Sequence, residues 1–242
     1  MTHDAAPLIA PTGTLRVAIN LGNPILAGKD ASGQPSGVSV DMAQELAKRL
    51  GTPLSWVVVD KAKDSVEAVT QGRADVGFFA IDPARSEGVA FTHAYVQIEG
   101  SYLVAENSPL HSNEDVDRAG TRVVVGQGSA YDLFLTRHLQ HAEIVRAESS
   151  PAVVDYFVAH KLDVAAGVKQ QLEADAKRLS GLRLLPGRFM VINQAMGLPL
   201  GRGQAAQQWL TQFVDELRGA GFVAQALKRH GVQGASVAPA TP

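Results

Sequence analysis

Residues 14–21, TLRVAINL, end at the turn signal Gly22-Asn23-Pro24, and residues 37–51, GVSVDMAQELAKRLG, lead into LSWVVV at 54–59. The first run is apolar and β-branched and reads as a buried strand. Residues 29–37, KDASGQPSG, read as a loop. From 39 to 50, Val40, Ala43, Leu46, Ala47 and Leu50 form one helical stripe, and Gly51 is placed to cap it. A strand at 54–59, a helix at 64–71 stopped by Gly72, and a strand at 75–80 complete the order β-α-β-α-β. That order requires a parallel sheet.

Outward from this block the pattern recurs. An extended segment at 98–105 and a polar stretch at 106–120 precede a strand at 122–125, a helix at 130–140, a strand at 143–146, a helix at 152–160 and a strand at 162–166. A second extended segment, 188–200, leads into amphipathic helices at 204–219 and 221–230. The expected fold is α/β, with two Rossmann-like lobes joined by two extended crossings near 100–105 and 190–198. Lobe 1 is expected at 12–101 plus 197–234 and lobe 2 at 102–196, with 1–11 and 235–242 as flexible tails. Ligands of open α/β sheets sit at the carboxyl ends of the strands, so two facing lobes would place a site in the cleft.

The 242 residues carry 22 Lys and Arg against 24 Asp and Glu, with no Cys. The charge balance and the scatter of basic residues leave no footprint for nucleic acid or an anionic membrane. Without Cys there is no disulfide, thiolate metal site or cysteine nucleophile. No run reaches the ~20 apolar residues of a membrane span. Residues 1–11 hold no apolar run of signal-peptide length and no Lys or Arg, so the sequence by itself points to no export.

Two segments could carry ligand chemistry. DVGFFAIDPAR (75–85) runs from a strand into a turn and delivers Arg85 beyond the strand's carboxyl end, where a planar guanidinium can hold a carboxylate bidentately. Spacing alone favours a surface cation paired with Asp82 or Glu87. GQGSAYD (126–132) is a strand-to-helix turn whose amides at Ser129, Ala130 and Tyr131 can attract an anion, or whose Ser129 is a plain N-cap. It lacks the third glycine of a dinucleotide fingerprint and places Asp132 in the first helical turn. Phe78 and Phe79 precede the turn, and strand alternation allows one to line a pocket while the other packs inside.

Catalytic constellations are missing. His138, His141 and Glu143 read as solvated surface rather than a metal site, and no nucleophile elbow is present. Trp56, Phe91, Phe134, Phe157, Trp209 and Phe213 fall at core-facing positions. No cofactor is called for.

With these segments in view, the chain resembles the periplasmic amino-acid-binding proteins of ABC transporters, bacterial extracellular solute-binding protein family 3, with the type 2 periplasmic-binding fold. The resemblance covers about residues 12–234. GVSVDMAQELAKRLG (37–51) is similar to the family's Gly-Phe-Asp-Val-Asp-Leu helix entry. DPARSEGVAFTHAYV (82–96) resembles Thr-x-x-Arg followed by Phe-Ser-x-Pro-Tyr, and VVVGQGSAYDLFL (123–135) resembles Val-Gly-x-Gly-Thr/Ser. The resemblance implies that Arg85 binds a ligand carboxylate, helped by amides at Ala80, Ser129 and Ala130. It also implies hinge closure, ABC transporter membrane subunits as partners, a monomer, and the periplasm, which a leader removed from the chain would reconcile with residues 1–11.

Departures from the family pattern bear on the ligand. The Asp after the first strand and the aromatic three residues on correspond to Asn20 and Asn23, and the Asp ending the second-lobe strand corresponds to Val168. Both expected acceptors for an α-ammonium are absent, and a buried ammonium without a charged acceptor costs several kcal/mol. Asp82 or Glu99 would have to substitute. Lys169 and Gln170 instead place donors there, unless Lys169 is simply exposed at a helix start. The expected ligand is a small carboxylate, a dicarboxylate or an acid with a neutral polar end. An enzyme of the cyclohexadienyl dehydratase type acting on prephenate or arogenate, with Asp82, Glu99 or Lys169 as proton donor, and a sensor domain are the alternatives.

Overall fold

The computed structural model describes residues 5–240. Two compact units divide the chain: residues through Gln97 together with those from Asn193 onward, and Ile98–Ile192. Both boundaries lie four residues earlier than the expected ones. Each crossing runs inside a long strand.

Unit 1 begins with α1 (Ala6–Ile9), β1 (Leu15–Asn20), a small hairpin of β2 (Gly28–Lys29) and β3 (Pro35–Ser36), α2 (Val38–Leu50), β4 (Leu54–Val59), α3 (Ala62–Thr70) and β5 (Val76–Ala80). Then comes β6 (Val89–Ala105), which carries the chain into unit 2. Unit 2 continues with β7 (Arg122–Gly126), α4 (Ala130–His138), β8 (Glu143–Ala147), α5 (Val153–Ala159), β9 (Val164–Val168), α6 (Lys169–Arg178) and β10 (Leu182–Leu184). The chain returns along β11 (Met190–Pro199) to α7 (Gln204–Gly219), α8 (Phe222–Arg229) and β12 (Ser236–Val237).

In unit 1 the sheet order is β4-β1-β5-β11, the first three parallel and β11 antiparallel to β5. β5 is buried at every position rather than alternately, as a strand covered on both faces is. Phe79 belongs to a core cluster with Ala18, Val69 and Val89. Its ring lies over Gly77 and the register partner Gly197, where an added Cβ would come within 2.3 Å and 3.2 Å of ring atoms. Two glycines thus make the room one phenylalanine fills.

In unit 2 the order is β6-β9-β7-β8, with β10 on β6; β7 is parallel to both β8 and β9, and β6 is antiparallel to β9. Phe157, Leu172, Val124 and Leu103 form its core. The structure adds β10 and the hairpin at 28–36, both too short to show periodicity.

One clamp occurs in each unit at the amino edge of the parallel strands. The Arg16 amide and Nε both donate to Asp75 Oδ2, at 2.9 and 3.0 Å, and the Arg122 amide and Nε donate to Asp163 Oδ2 at 2.8 and 3.0 Å. Asp75 is fully buried and takes a second arginine, Arg202, at 2.7 Å.

The flexible-tail expectation is corrected at both ends. Ala5, Ile9 and Ala10 are buried, α1 packs on α7, and Arg202 Nη1 donates to the Ile9 carbonyl at 2.9 Å. At the other end, β12 pairs with Val96 and Gln97 of β6, Ala238 is buried, and its amide donates to the Tyr95 carbonyl at 3.0 Å. Apolar residues with a free strand edge to join gain more from docking than the chain loses in entropy. Residues 1–4 and 241–242 lie outside the described residues.

Candidate functional site

The carboxyl edge of unit 1 is formed by the ends of β1 and β5. Beyond β5, Asp82 Oδ1 accepts the Ala84 amide at 2.8 Å and shapes the turn that starts the short 3₁₀ helix Arg85–Glu87. Arg85 folds back, and its Nη1 donates to the Ala80 carbonyl at 3.1 Å. Only 7% of Arg85 is exposed. Burial brings its pKa down to about 10, with the Asp82 charge acting in the opposite direction, so the cation persists at neutral pH. This corrects the exposure assumed in the surface-cation alternative: Arg85 is buried, and so is Asp82, the partner that spacing suggested, whose charge acts on the guanidinium. Ile81, between Ala80 and Asp82, is an exposed apolar side chain at this edge.

Phe78 and Phe79 alternate as the pleat demands. Phe79 enters the core, while Phe78 packs edge-on against Tyr95 with ring centroids 5.9 Å apart. Tyr95 is fully buried, its hydroxyl 3.4 Å from Ser39 Oγ, and burial pushes its pKa up. At the end of β1, Asn20 Oδ1 accepts the Gly22 amide at 2.8 Å. Gly22 is required there, because a Cβ would lie 2.5 Å from the Asp60 carbonyl oxygen. Asn23 keeps a buried side-chain oxygen without a partner.

The carboxyl edge of unit 2 is formed by β7 and β9, whose ends start α4 and α6. Ser129 caps α4, with Oγ accepting the Asp132 amide at 3.1 Å. The Ser129 amide donates to the Gly126 carbonyl at 3.0 Å. The expected ligand amide at Ser129 is therefore engaged within the turn. Ala130, the first helical residue, has no intrahelical acceptor for its amide. Asp132 is buried and reciprocally accepts the Gly128 amide at 2.8 Å, and it takes Arg146 and Thr136 as further donors. Gly128 adopts φ 71°, the left-handed region that glycine supplies at this turn.

Lys169 opens α6 and is paired: its Nζ lies 3.4 Å from Glu99 Oε2, while Glu99 Oε1 accepts Arg188 Nη1 at 2.7 Å. The Arg188 hydrogen bond, and then Lys169, hold the Glu99 carboxyl below its usual range against the opposing effect of burial. Lys169 thus stands at a helix start and also in a pair, and the Glu99 carboxylate is shared between Arg188 and Lys169. Arg188 was missed because it lies in the irregular stretch between β10 and β11, where no periodicity marks it. Gln170 retains a buried, unpartnered Oε1. Away from this edge, His138 stacks on Phe134 at 3.9 Å and Trp209 on Phe213 at 6.1 Å.

Among the described residues, no helix is long and apolar enough to cross a membrane. The chain is 28% identical over 141 residues to the histidine-binding periplasmic protein of Salmonella typhimurium, covering 57% of this chain and 54% of that protein. It is 26% identical over 166 residues to a cyclohexadienyl dehydratase of Pseudomonas aeruginosa, covering 64% and 59%. The chain thus aligns with little more than half the length of these relatives. A solved solute receptor for L-cysteine of Neisseria gonorrhoeae shares the fold, with a TM-score of 0.80 at 22% identity over 95% of this chain and 94% of that one. The architecture is that of the type 2 periplasmic-binding proteins. Residues 15–233 match the model of the bacterial extracellular solute-binding proteins, family 3, and the chain belongs to that family.

Proposed function

We infer that this protein is the solute receptor of an ABC transporter and captures a small carboxylate-bearing molecule, an amino acid or an organic acid. In this reading the two units close on the ligand about the crossing strands, with Arg85 on its carboxylate and the Ala130 amide assisting. Phe78, Asn20 and Asn23 would shape the unit 1 side. The membrane subunits recognise the closed form, and the receptor works as a periplasmic monomer without a cofactor. Only a ligand with higher affinity for the closed form drives that change.

The observation that carries this reading is the burial of Arg85 at a strand's carboxyl edge. A guanidinium taken out of water needs anionic or carbonyl partners, and its five donors in a planar fork suit a carboxylate. The test is thermal unfolding against a panel of amino and organic acids. A ligand at about 100 times its Kd adds about 2.7 kcal/mol of stability. A rise in Tm that disappears in Arg85→Lys is expected; no response to any carboxylate would refute the reading.

The similarity to a dehydratase favours a second reading, an enzyme on the same frame. It needs a proton donor, and Glu99, held ionised by Arg188 and Lys169, is a poor one at neutral pH. Turnover of prephenate by the purified protein would decide for the enzyme.

A further inference from the structure

We propose that Lys169 and Arg188 receive a second acidic group of the ligand, and that Glu99 occupies this place until the ligand displaces it from Lys169. The inference rests on the reading of Arg85 as the anchor of the first carboxylate, and it narrows the ligand to dicarboxylates.

The three side chains meet because of strand register. Gly100 pairs with Val168, so Glu99 lies just beyond the end of β9, where Lys169 begins α6. The Phe189 amide donates to the Gly100 carbonyl at 2.9 Å, which brings Arg188 to the same strand end. The cluster carries two cations and one anion.

Glu99 divides its oxygens between them unequally. Its contact with Arg188 is 2.7 Å, but its contact with Lys169 is 3.4 Å, well beyond the ~2.8 Å of a charge-assisted hydrogen bond. An ammonium has three donors, and this long contact leaves it able to take another carboxylate. The Lys169 side chain is 37% exposed and that of Arg188 53%, so a solute reaches both.

Lys169 also runs against local preference. It is the first residue of α6, whose first turn holds no acidic residue. A cation there faces the positive end of the helix dipole, which favours anions. Such a conflict between local chemistry and sequence is where function is expected.

Asp132, in the first turn of α4, is already held by the Gly128 amide, Arg146 and Thr136.

The experiment is calorimetric titration of the full chain with succinate, malate, glutarate and adipate, and with glutamine, histidine and arginine. Lys169→Met, Lys169→Gln, Glu99→Gln and Arg85→Lys are titrated alongside, with Tm as the folding control. At least one dicarboxylate is expected to bind, to weaken about tenfold or more in both Lys169 variants, and to bind more tightly in Glu99→Gln. Unchanged dicarboxylate affinity in the Lys169 variants, weaker binding in Glu99→Gln, or binding of amino acids alone would overturn the inference. If the amino acids that bind are lost in Arg85→Lys, the anchor reading survives that failure. No binding by any carboxylate would defeat both.

Discussion

The Arg85 guanidinium donates to the carbonyl of Ala80, five residues earlier, at 3.1 Å, and so closes the β5 turn on a buried cation. A side chain read from spacing as a surface group is instead part of the unit's interior edge. Its removal should therefore affect stability, beside any effect on the proposed binding.

Arg85→Ala leaves the buried Asp82 with less compensation and opens a gap beside Ala80. Breaking a buried charge pair costs about 3 kcal/mol. Urea unfolding of the variant should show that loss, and titration should show no ligand heat. Arg85→Lys should keep most of the stability while losing bidentate geometry.

Asp75 and Asp163 make the same two bonds to an arginine amide and Nε, yet Asp75 is fully buried and the Asp163 side chain is 40% exposed. Asp75→Asn should cost about 3 kcal/mol. Asp163→Asn should cost at most about 1 kcal/mol. Equal losses in denaturant titrations would show that burial is not what separates them.

The pH dependence follows from Asp75. Burial pushes its pKa up, but bonds from the Arg16 side chain and amide and from Arg202 outweigh this, and the folded value lies below normal. A depressed folded pKa gives stability that is complete above the unfolded value, about 3.9, and is lost as pH falls through the folded one. Urea midpoints should be flat near neutrality and drop below about pH 4. The drop should be shallower in Asp75→Asn.

Truncation after Gly234 removes β12, the buried Ala238 and its bond to the Tyr95 carbonyl. The shortened chain should fold with Tm lower by about 3 °C, equivalent to about 1 kcal/mol for a protein of this size. An unchanged Tm would return the tail to the flexible state expected from composition.

Ser129→Ala removes the N-cap of α4 and should cost about 1 kcal/mol. Because the Ser129 amide is already engaged with Gly126, ligand affinity should change far less than in Arg85→Lys. A loss of binding as large as in that variant would show that the cap itself contacts ligand.

The alternation of strand and helix, the glycine stops and the two βα runs were legible in the chain alone, because apolar period and turn chemistry act over a few residues. Gly51 adopts φ 65° as the cap of α2 that its position announced. Composition misjudged the tails because docking depends on a vacant strand edge elsewhere. Arg85 was identifiable by its place after β5, but its burial was not, since that depends on how the turn folds back on Ala80. The pairing of Lys169 with Glu99 joins residues 70 positions apart. Only the register of β6 against β9 brings them together, and register is a long-range property set by packing whole strands, which no local pattern contains.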